Sequence, residues 1–366
     1  MTSTIQRARI HCFDFPRDRV IGDSQISSSK VWIGALELFD NEGSSGLGFF
    51  QSLSMPLPDA SFVTNLFEQL CFKNIKNRTP ESLIHQLTRP RGGNIQPLPY
   101  HLDQAIDQAL WDLAAKRVQQ PLYRYFGGTE NKLKAYGSGV CFHMTDQEVF
   151  DFYSKAKRHN FSGYKVKVGH PDLTRDIARL QLVTDAVGKT PLLMIDANEA
   201  WSPKQAIRRI RAFEDAGFPI YWIEDPILRH DTKGLIEIKA ALKDTYINAG
   251  EYLNLSGKKN LVENDAADII NIHGDFSGAQ KIAWLCAEKG ISISLGNTPM
   301  ELGAHIASAI PETIYTEHSM LNWDDIVAKP FEIEDGHIVL PDTPGHGLTL
   351  CQSAIQDLMP SISDSR

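Results

Sequence analysis

Residues 191 to 226 read "PLLMIDANEAWSPKQAIRRIRAFEDAGFPIYWIEDP". A short apolar run, "LLMID", gives way to "PKQAIRRIRAFEDAG", whose apolar residues recur at helical spacing, and a second apolar run, "IYWIE", follows. Strand, covering helix and strand in that order are the unit of a parallel sheet shielded on its outer side. Working outward, similar runs occur at "KAYGS", "YKVKV", "YINAG", "DIINIH", "ISISL" and "TIYTE", with helical stretches such as "AQKIAWLCAEKG" between most of them. Eight strand-like runs of this kind predict a closed (β/α)8-type barrel. An open doubly wound sheet usually needs fewer repeats and a Gly-rich phosphate turn. "SSGLGFF" at 44 to 50 has no strand–turn–helix unit around it and does not supply one.

The ends of the chain are organised differently. "KVWIGALELFDNEGSSGLGFF" reads as two antiparallel strands around an Asn/Gly turn, and "LDQAIDQALWDLAAKRV" as an amphipathic helix closed by "YFGG". This α+β module precedes the barrel. Beyond the last barrel run, "PFEIEDGHIVLPDTPGHGLTL" reads as hairpin and loop packing back on the N-terminal module, and "SISDSR" as a frayed tail.

Composition narrows the classes. The 366 residues are 42% hydrophobic and 22% charged, which supplies an ample core for two domains or one large barrel with an attachment. A net charge of -8 argues against nucleic acid or an anionic membrane as partner. The opening "MTSTIQRARIHCFDF" lacks the apolar run of a secretory signal, and no stretch reaches the roughly 20 apolar residues of a membrane span. Five scattered cysteines without a CxxC fit buried thiols in a reducing cytoplasm.

"LLMID" ends in Asp196, "IYWIE" in Glu224 and "YINAGE" in Glu251, separated by 28 and 27 residues. Each interval is close to one strand–helix unit, so consecutive strands carry the three carboxylates to one rim. That rim, at the C-terminal ends of the strands, is where barrel enzymes do their chemistry. Three clustered acids repel one another unless a cation sits among them, and an all-oxygen donor set selects a hard metal, Mg2+ first. Asn198 follows two residues beyond Asp196 and suits a ligand-supporting or substrate-binding role, or a plain turn. One strand earlier, "YKVKV" sets Lys165 and Lys167 on one face. Two neighbouring ammoniums near a cation are expected to lower one another's pKa and yield a base.

"YKVKVG", "MIDANEAW", "WIEDP" and "AGE", in this order and spacing, resemble the mandelate racemase/muconate lactonizing branch of the enolase superfamily. "AIDQALWDLAAKRVQQPLYRYFGG" and "PDTPGHGLTL" extend the resemblance over nearly the whole chain. It implies a modified (β/α)7β barrel at 131–322 and an α+β capping domain at 1–130, to which a C-terminal segment at 323–366 returns. Cap loops at 15–28 and 49–53 would close over the substrate. It further implies one Mg2+ held by Asp196, Glu224 and Glu251, and proton abstraction beside a carboxylate. A lysine or histidine base with Mg2+ is the established pattern of that superfamily. Lys167 matches the base, Lys165 the residue that tunes it and touches the carboxylate, and Glu317 an acid that hydrogen-bonds that carboxylate.

The sequence departs from the family on the opposite wall. "DIINIH" ends in His273, where relatives carry Asp or Lys, and Gly296 or Asn297 stands where some carry His. His273 suits a general acid, since its reference pKa lies near working pH. Arg17, Arg19, Asn198 and Asn297 make the expected surroundings polar, fitting a polyhydroxylated acid. The expectation is therefore a cytoplasmic, homo-oligomeric sugar-acid dehydratase. Racemase, epimerase or cycloisomerase chemistry is the alternative within the family, and a non-catalytic carboxylate binder the alternative outside it.

Overall fold

The computed structural model describes residues 3–84, 98–296, 298–321 and 323–365. Strands β1 (Ile5–Gly22), β2 (Ser27–Asp40) and β3 (Ser45–Ser52) form an antiparallel meander. The turn from β2 to β3 is tied by Asp40, whose Oδ1 accepts from the backbone N–H of Glu42 at 2.9 Å and of Ser44 at 2.8 Å.

The helix Leu102–Arg117 lies across this sheet with nearly its whole length buried. Gly46 and Gly48 permit that approach: a Cβ on either would stand 2.0 Å from a helix carbonyl, Ala109 O or Ala105 O. The helix also satisfies the sheet's polar groups. Leu47 N donates to Asp112 Oδ2 at 2.9 Å and Phe49 N to Gln108 Oε1 at 2.8 Å.

Among the described residues eight parallel strands then close on themselves. They are β4 (Lys132–Ser138), β5 (Gly163–Lys167), β6 (Leu192–Asp196), β7 (Ile220–Glu224), β8 (Tyr246–Ala249), β9 (Ile269–Ile272), β10 (Ser292–Leu295) and β11 (Thr313–His318). β11 pairs back on β4 through Thr316–Ala135 and Glu317–Tyr136. A helix follows each of β4 to β10, so the barrel is the (β/α)7β form that the family resemblance implied.

Several of those helices start on side-chain caps. The Thr145/Glu148 and Ser202/Gln205 pairs form capping boxes, while Asp231, Asn254 and Asp275 each accept a backbone N–H three residues on. Inside the barrel, Tyr136, Met194, Trp222, Ile269 and Tyr315 pack as one cluster. Tyr136 and Trp222 meet edge to face with centroids 5.2 Å apart. Two residues further along these strands the inward side chains turn polar.

The ends of the chain differ from the reading of the sequence. β12 (Glu332–Glu334) and β13 (His337–Val339) form the expected hairpin, but β13 pairs with the start of β4 and so extends the barrel sheet. The tail is not frayed: β14 (Ser361–Ser365) pairs antiparallel with β1 along Ala8–Cys12, and Arg9 Nε donates to Asp364 Oδ1 at 2.7 Å. His346, from "PGHG", fastens the same region to the cap through Asp112 and Leu47 O. Most of the stretch 15–28 is strand; only the turn at 23–26 is free to act as a cap loop.

Candidate active site

The strand register assembles the site. Lys167 is paired with Asp196, Asp196 with Glu224, and Glu224 with Asn248, so one row of side chains crosses four adjacent strands. Past the strand ends the ladder continues: Ala197 N donates to Glu224 O, Glu199 N to Asp225 O and Asp225 N to Asn248 O. Asn198, Glu199 and Asp225 adopt φ of 44°, 63° and 36°, a left-handed backbone that side chains tolerate only under tertiary constraint.

Lys165 Nζ lies 2.8 Å from Glu224 Oε2, 3.3 Å from Glu317 Oε1 and 3.5 Å from Asp196 Oδ2. Lys167 Nζ lies 2.5 Å from Asp196 Oδ2 and donates to Asn198 Oδ1 at 2.7 Å. Asp196 Oδ1 accepts from Asn198 N at 3.0 Å. All five charged groups are buried or nearly so.

Burial and charge oppose each other here. Burial is the largest influence on the Lys167 pKa and pulls it down, but the charges of Asp196, Asp23 and Glu251 act against it and the net shift is upward. The mutual lowering expected of two lysines is present and smaller than the carboxylate's hold. Burial pushes Glu224 well above the carboxylate range against the pull of Lys165, and Glu251 to about 7 against Lys165 and Lys167.

Asp196, Glu224 and Glu251 offer oxygen donors only, and Glu224 Oε1 is buried with no hydrogen-bond partner among the described residues. An orphaned buried carboxylate oxygen beside two further acids fits a hard divalent cation. Among the described residues no three acid, imidazole or thiol side chains stand gathered closely enough to hold a metal ion as they are; the two ammoniums hold Asp196 and Glu224 instead.

A cavity of about 560 Å³ opens above this row. Lys165, Lys167, Asn198, Glu251 and Glu317 form part of its wall. The cap contributes Asp23, Gln25, Ile26 and the stretch Gln51 to Met55, and Gln25 Nε2 donates to Asn198 O. His273 is 6% exposed, does not line the cavity, and packs against the rings of His101 and Tyr252. Asp275 caps the helix Phe276–Lys289 through Gly278 N at 2.7 Å.

Arg17 and Arg19 also stand away from the cavity wall. Arg17 donates to Leu321 O and to Lys30 O, and Arg19 to Met320 O, while the Arg19 guanidinium covers the Phe152 ring at 4.5 Å. Both thus anchor the chain after β11. Asn297 lies outside the described residues.

The motifs left several lining residues unassigned. Arg229 lines the cavity and bridges two loops, with Nε 3.0 Å from Asp225 Oδ2 and Nη1 3.3 Å from Glu199 Oε2. Its guanidinium lies 5.1 Å from the Tyr252 ring centroid. The four-residue step from Asp225 to Arg229 was the available signal. Tyr252 follows the third acid directly; Tyr100 and His101 carried no signal at all.

The profile of the family described as enolase C-terminal domain-like matches residues 151–354. A 3,6-anhydro-alpha-L-galactonate cycloisomerase of Streptomyces coelicolor is 32% identical over 258 residues, 67% of this chain and 68% of that protein. An L-talarate/galactarate dehydratase of Salmonella typhimurium is 33% identical over 256 residues, 68% of this chain and 63% of that protein. The crystal structure of that dehydratase with Mg and L-lyxarohydroxamate matches with a TM-score of 0.85 at 25% identity, covering 99% of this chain and 94% of the other. A Mesorhizobium loti crystal structure, provisionally called a mandelate racemase, matches with a TM-score of 0.92 at 44% identity, covering 97% and 94%. Among the described residues no helix is long and apolar enough to cross a membrane.

Proposed function

We propose a function from one premise: the chain belongs to the enolase C-terminal domain-like family, in its mandelate racemase/muconate lactonizing branch, and is an enzyme. We infer that it is a Mg2+-dependent sugar-acid dehydratase. The observation that carries this reading is Lys167 Nζ, 2.5 Å from Asp196, in a cavity wall that Glu251 and Glu317 share.

In this reading Lys167 takes the α-proton of the bound acid. One Mg2+, held by Asp196, Glu224 and Glu251, would stabilise the charge that develops on the substrate carboxylate. Lys165 and Glu317 line the same wall and hold that carboxylate by ion pair and hydrogen bond. Asn198 orients the Lys167 ammonium through its Oδ1 and meets the substrate from the β6 side. Arg17 and Arg19 act at one remove, through the chain at Met320 and Leu321. The wall opposite Lys167 carries the imidazoles of His273 and His101, from which a proton reaches the leaving hydroxyl. Gln25, Gln51, Ser52, Ser54 and Tyr100 give the outer cavity a polar lining suited to a hydroxylated tail.

Isomerisation is the second reading. An imidazole facing Lys167 could return the proton to the opposite face, and one relative is a cycloisomerase. The unpaired thiols of Cys12, Cys71, Cys141 and Cys286 support work in a reducing compartment such as the cytoplasm.

The test is purified protein with Mg2+ offered a set of sugar acids, with 2-keto-3-deoxy product trapped by semicarbazide and recovered substrate analysed by NMR in D2O. Keto product supports dehydration, and deuterium at the α-carbon without it supports isomerisation. Neither signal from any carboxylate would leave only a non-catalytic carboxylate binder.

A further inference from the structure

We propose that His101, carried by the N-terminal domain, is the acid that protonates the departing β-hydroxyl, with His273 behind it as its positioning partner. The inference rests on the dehydratase reading above. Lys167 ends β5 and His273 follows β9, four strands apart in an eight-strand ring, so they belong to opposite walls. Of the two imidazoles on the far wall, His101 lines the cavity and His273 does not. The rings meet edge to face, centroids 6.1 Å apart at 80°, and Tyr252 packs on His273 at 5.0 Å. A proton delivered to substrate from this wall therefore leaves from His101.

The backbone holds His101 there by force. Tyr100 and His101 are consecutive non-glycine residues in left-handed conformation, at φ 61°, ψ 21° and φ 59°, ψ 31°. Strain of that kind persists where surrounding structure over-determines it, and it gathers at working sites. The surrounding structure is visible: His101 immediately precedes the helix Leu102–Arg117, which is fastened to the chain following His273. Gln108 Nε2 donates to Gly274 O at 3.3 Å, Asp107 Oδ2 accepts from Phe276 N at 2.7 Å, and Trp111 Nε1 donates to Ser277 Oγ at 3.0 Å. The two imidazoles thus sit on backbone segments locked to each other across the domain boundary. Burial lowers the His101 pKa, which makes its protonated ring the stronger donor.

The step balances without an oxidant or reductant. Lys167 takes the α-proton, and the C–H electron pair forms the enediolate. That pair becomes the α–β double bond as the β C–O bond breaks. The hydroxyl departs with its electron pair, receives the His101 proton and leaves as water. The enol then tautomerises to the 2-keto acid, and solvent restores both protonation states.

The experiment compares a β-hydroxy substrate with its β-fluoro analogue, because fluoride leaves without a proton. In His101→Asn, dehydration is expected to fall by about a hundredfold or more, the usual contribution of a general acid, while fluoride release stays within about fivefold of wild type. Deuterium uptake at the α-carbon should persist in the variant. Equal loss on both substrates would make His101 structural and overturn the proposal. Unchanged dehydration, or fluoride rescue confined to His273→Asn, would overturn it as well. A wild-type enzyme showing neither exchange nor product with any sugar acid would instead sink the dehydratase reading, and this inference with it.

Discussion

Lys167 Nζ and Asp196 Oδ2, 2.5 Å apart, form the tightest ion pair at the barrel mouth among the described residues. The candidate base and a candidate metal ligand therefore hold each other, and a cation bound at Asp196 competes with the ammonium for one oxygen. Removing that partner takes away the largest influence raising the Lys167 pKa, which leaves burial and Lys165 to lower it against the weaker pull of Asp23 and Glu251.

Chelation should consequently abolish turnover, and added Mg2+ should restore it. Asp196→Asn or Glu224→Gln should each cost over about a hundredfold in kcat, the scale of losing several kcal/mol of charge stabilisation. Circular dichroism should show both variants folded. Full activity after EDTA treatment would refute the metal assignment.

Glu251 gives the site a pH dependence. Burial raises its pKa to about 7 despite Lys165 and Lys167, so near neutrality the carboxyl is partly protonated. A ligand must be deprotonated to bind, and protons therefore compete with Mg2+ below that value. The Mg2+ Kd should rise by up to about tenfold per pH unit on descending from pH 7, and level off above it. Calorimetric titration at several pH values measures this. A slope unchanged in Glu251→Gln would assign the dependence to another group.

Asp107 ties the two domains through Phe276 N, Ser277 N and the Ser277 hydroxyl. Burial, then the neighbouring Asp275 charge, raises its pKa from 3.8 to about 7. A carboxyl with a raised folded-state pKa favours folding at low pH, and the advantage is lost as pH rises through the folded value. Stability from this group should fall between about pH 4 and about pH 7. Asp107→Ala should cost about 1–3 kcal/mol at low pH, because two backbone donors lose their acceptor. In Asp107→Asn, the thermal midpoint relative to wild type should improve as pH rises across that window; a constant difference would refute the assigned shift.

What the sequence disclosed follows from where the determining interactions lie. Asp196 and Glu224 were readable because an apolar strand ending in acid, repeated at strand–helix intervals, is a local pattern. The face shared by Lys165 and Lys167 follows from strand geometry alone. The sign of the Lys167 shift did not, since it depends on an oxygen one strand away. Arg17 and Arg19 read as substrate contacts because free cations near a site invite that reading; the Leu321 and Met320 carbonyls that draw them off lie 304 and 301 positions away. The tail strand was hidden for the same reason, its partner β1 being at the other end of the chain. His101 acquires significance only through the cavity it lines and the ring of His273, neither of which is local in sequence.

Lys258 supplies the last prediction. Its Nζ is buried and donates to Gly250 O, to Glu251 O at 3.0 Å and to Asn271 O at 2.9 Å, joining the ends of β8 and β9. Burial lowers its pKa to about 8, although Asp225 and Glu251 pull the other way. The ammonium thus fixes the backbone from which Glu251 projects without touching the Glu251 carboxylate. Lys258→Met removes a donor from three carbonyls, of which Gly250 O keeps the Leu253 N–H at 3.0 Å, and costs about 1–3 kcal/mol for each one left unpaired where water cannot reach. Stability should fall accordingly, and Mg2+ affinity should weaken by about ten- to a hundredfold, the usual effect of removing a group that orients a ligand. Thermal unfolding and Mg2+ titration separate the two effects. A destabilised variant that still binds Mg2+ like wild type would reduce Lys258 to a structural strut and remove it from the support of the metal site.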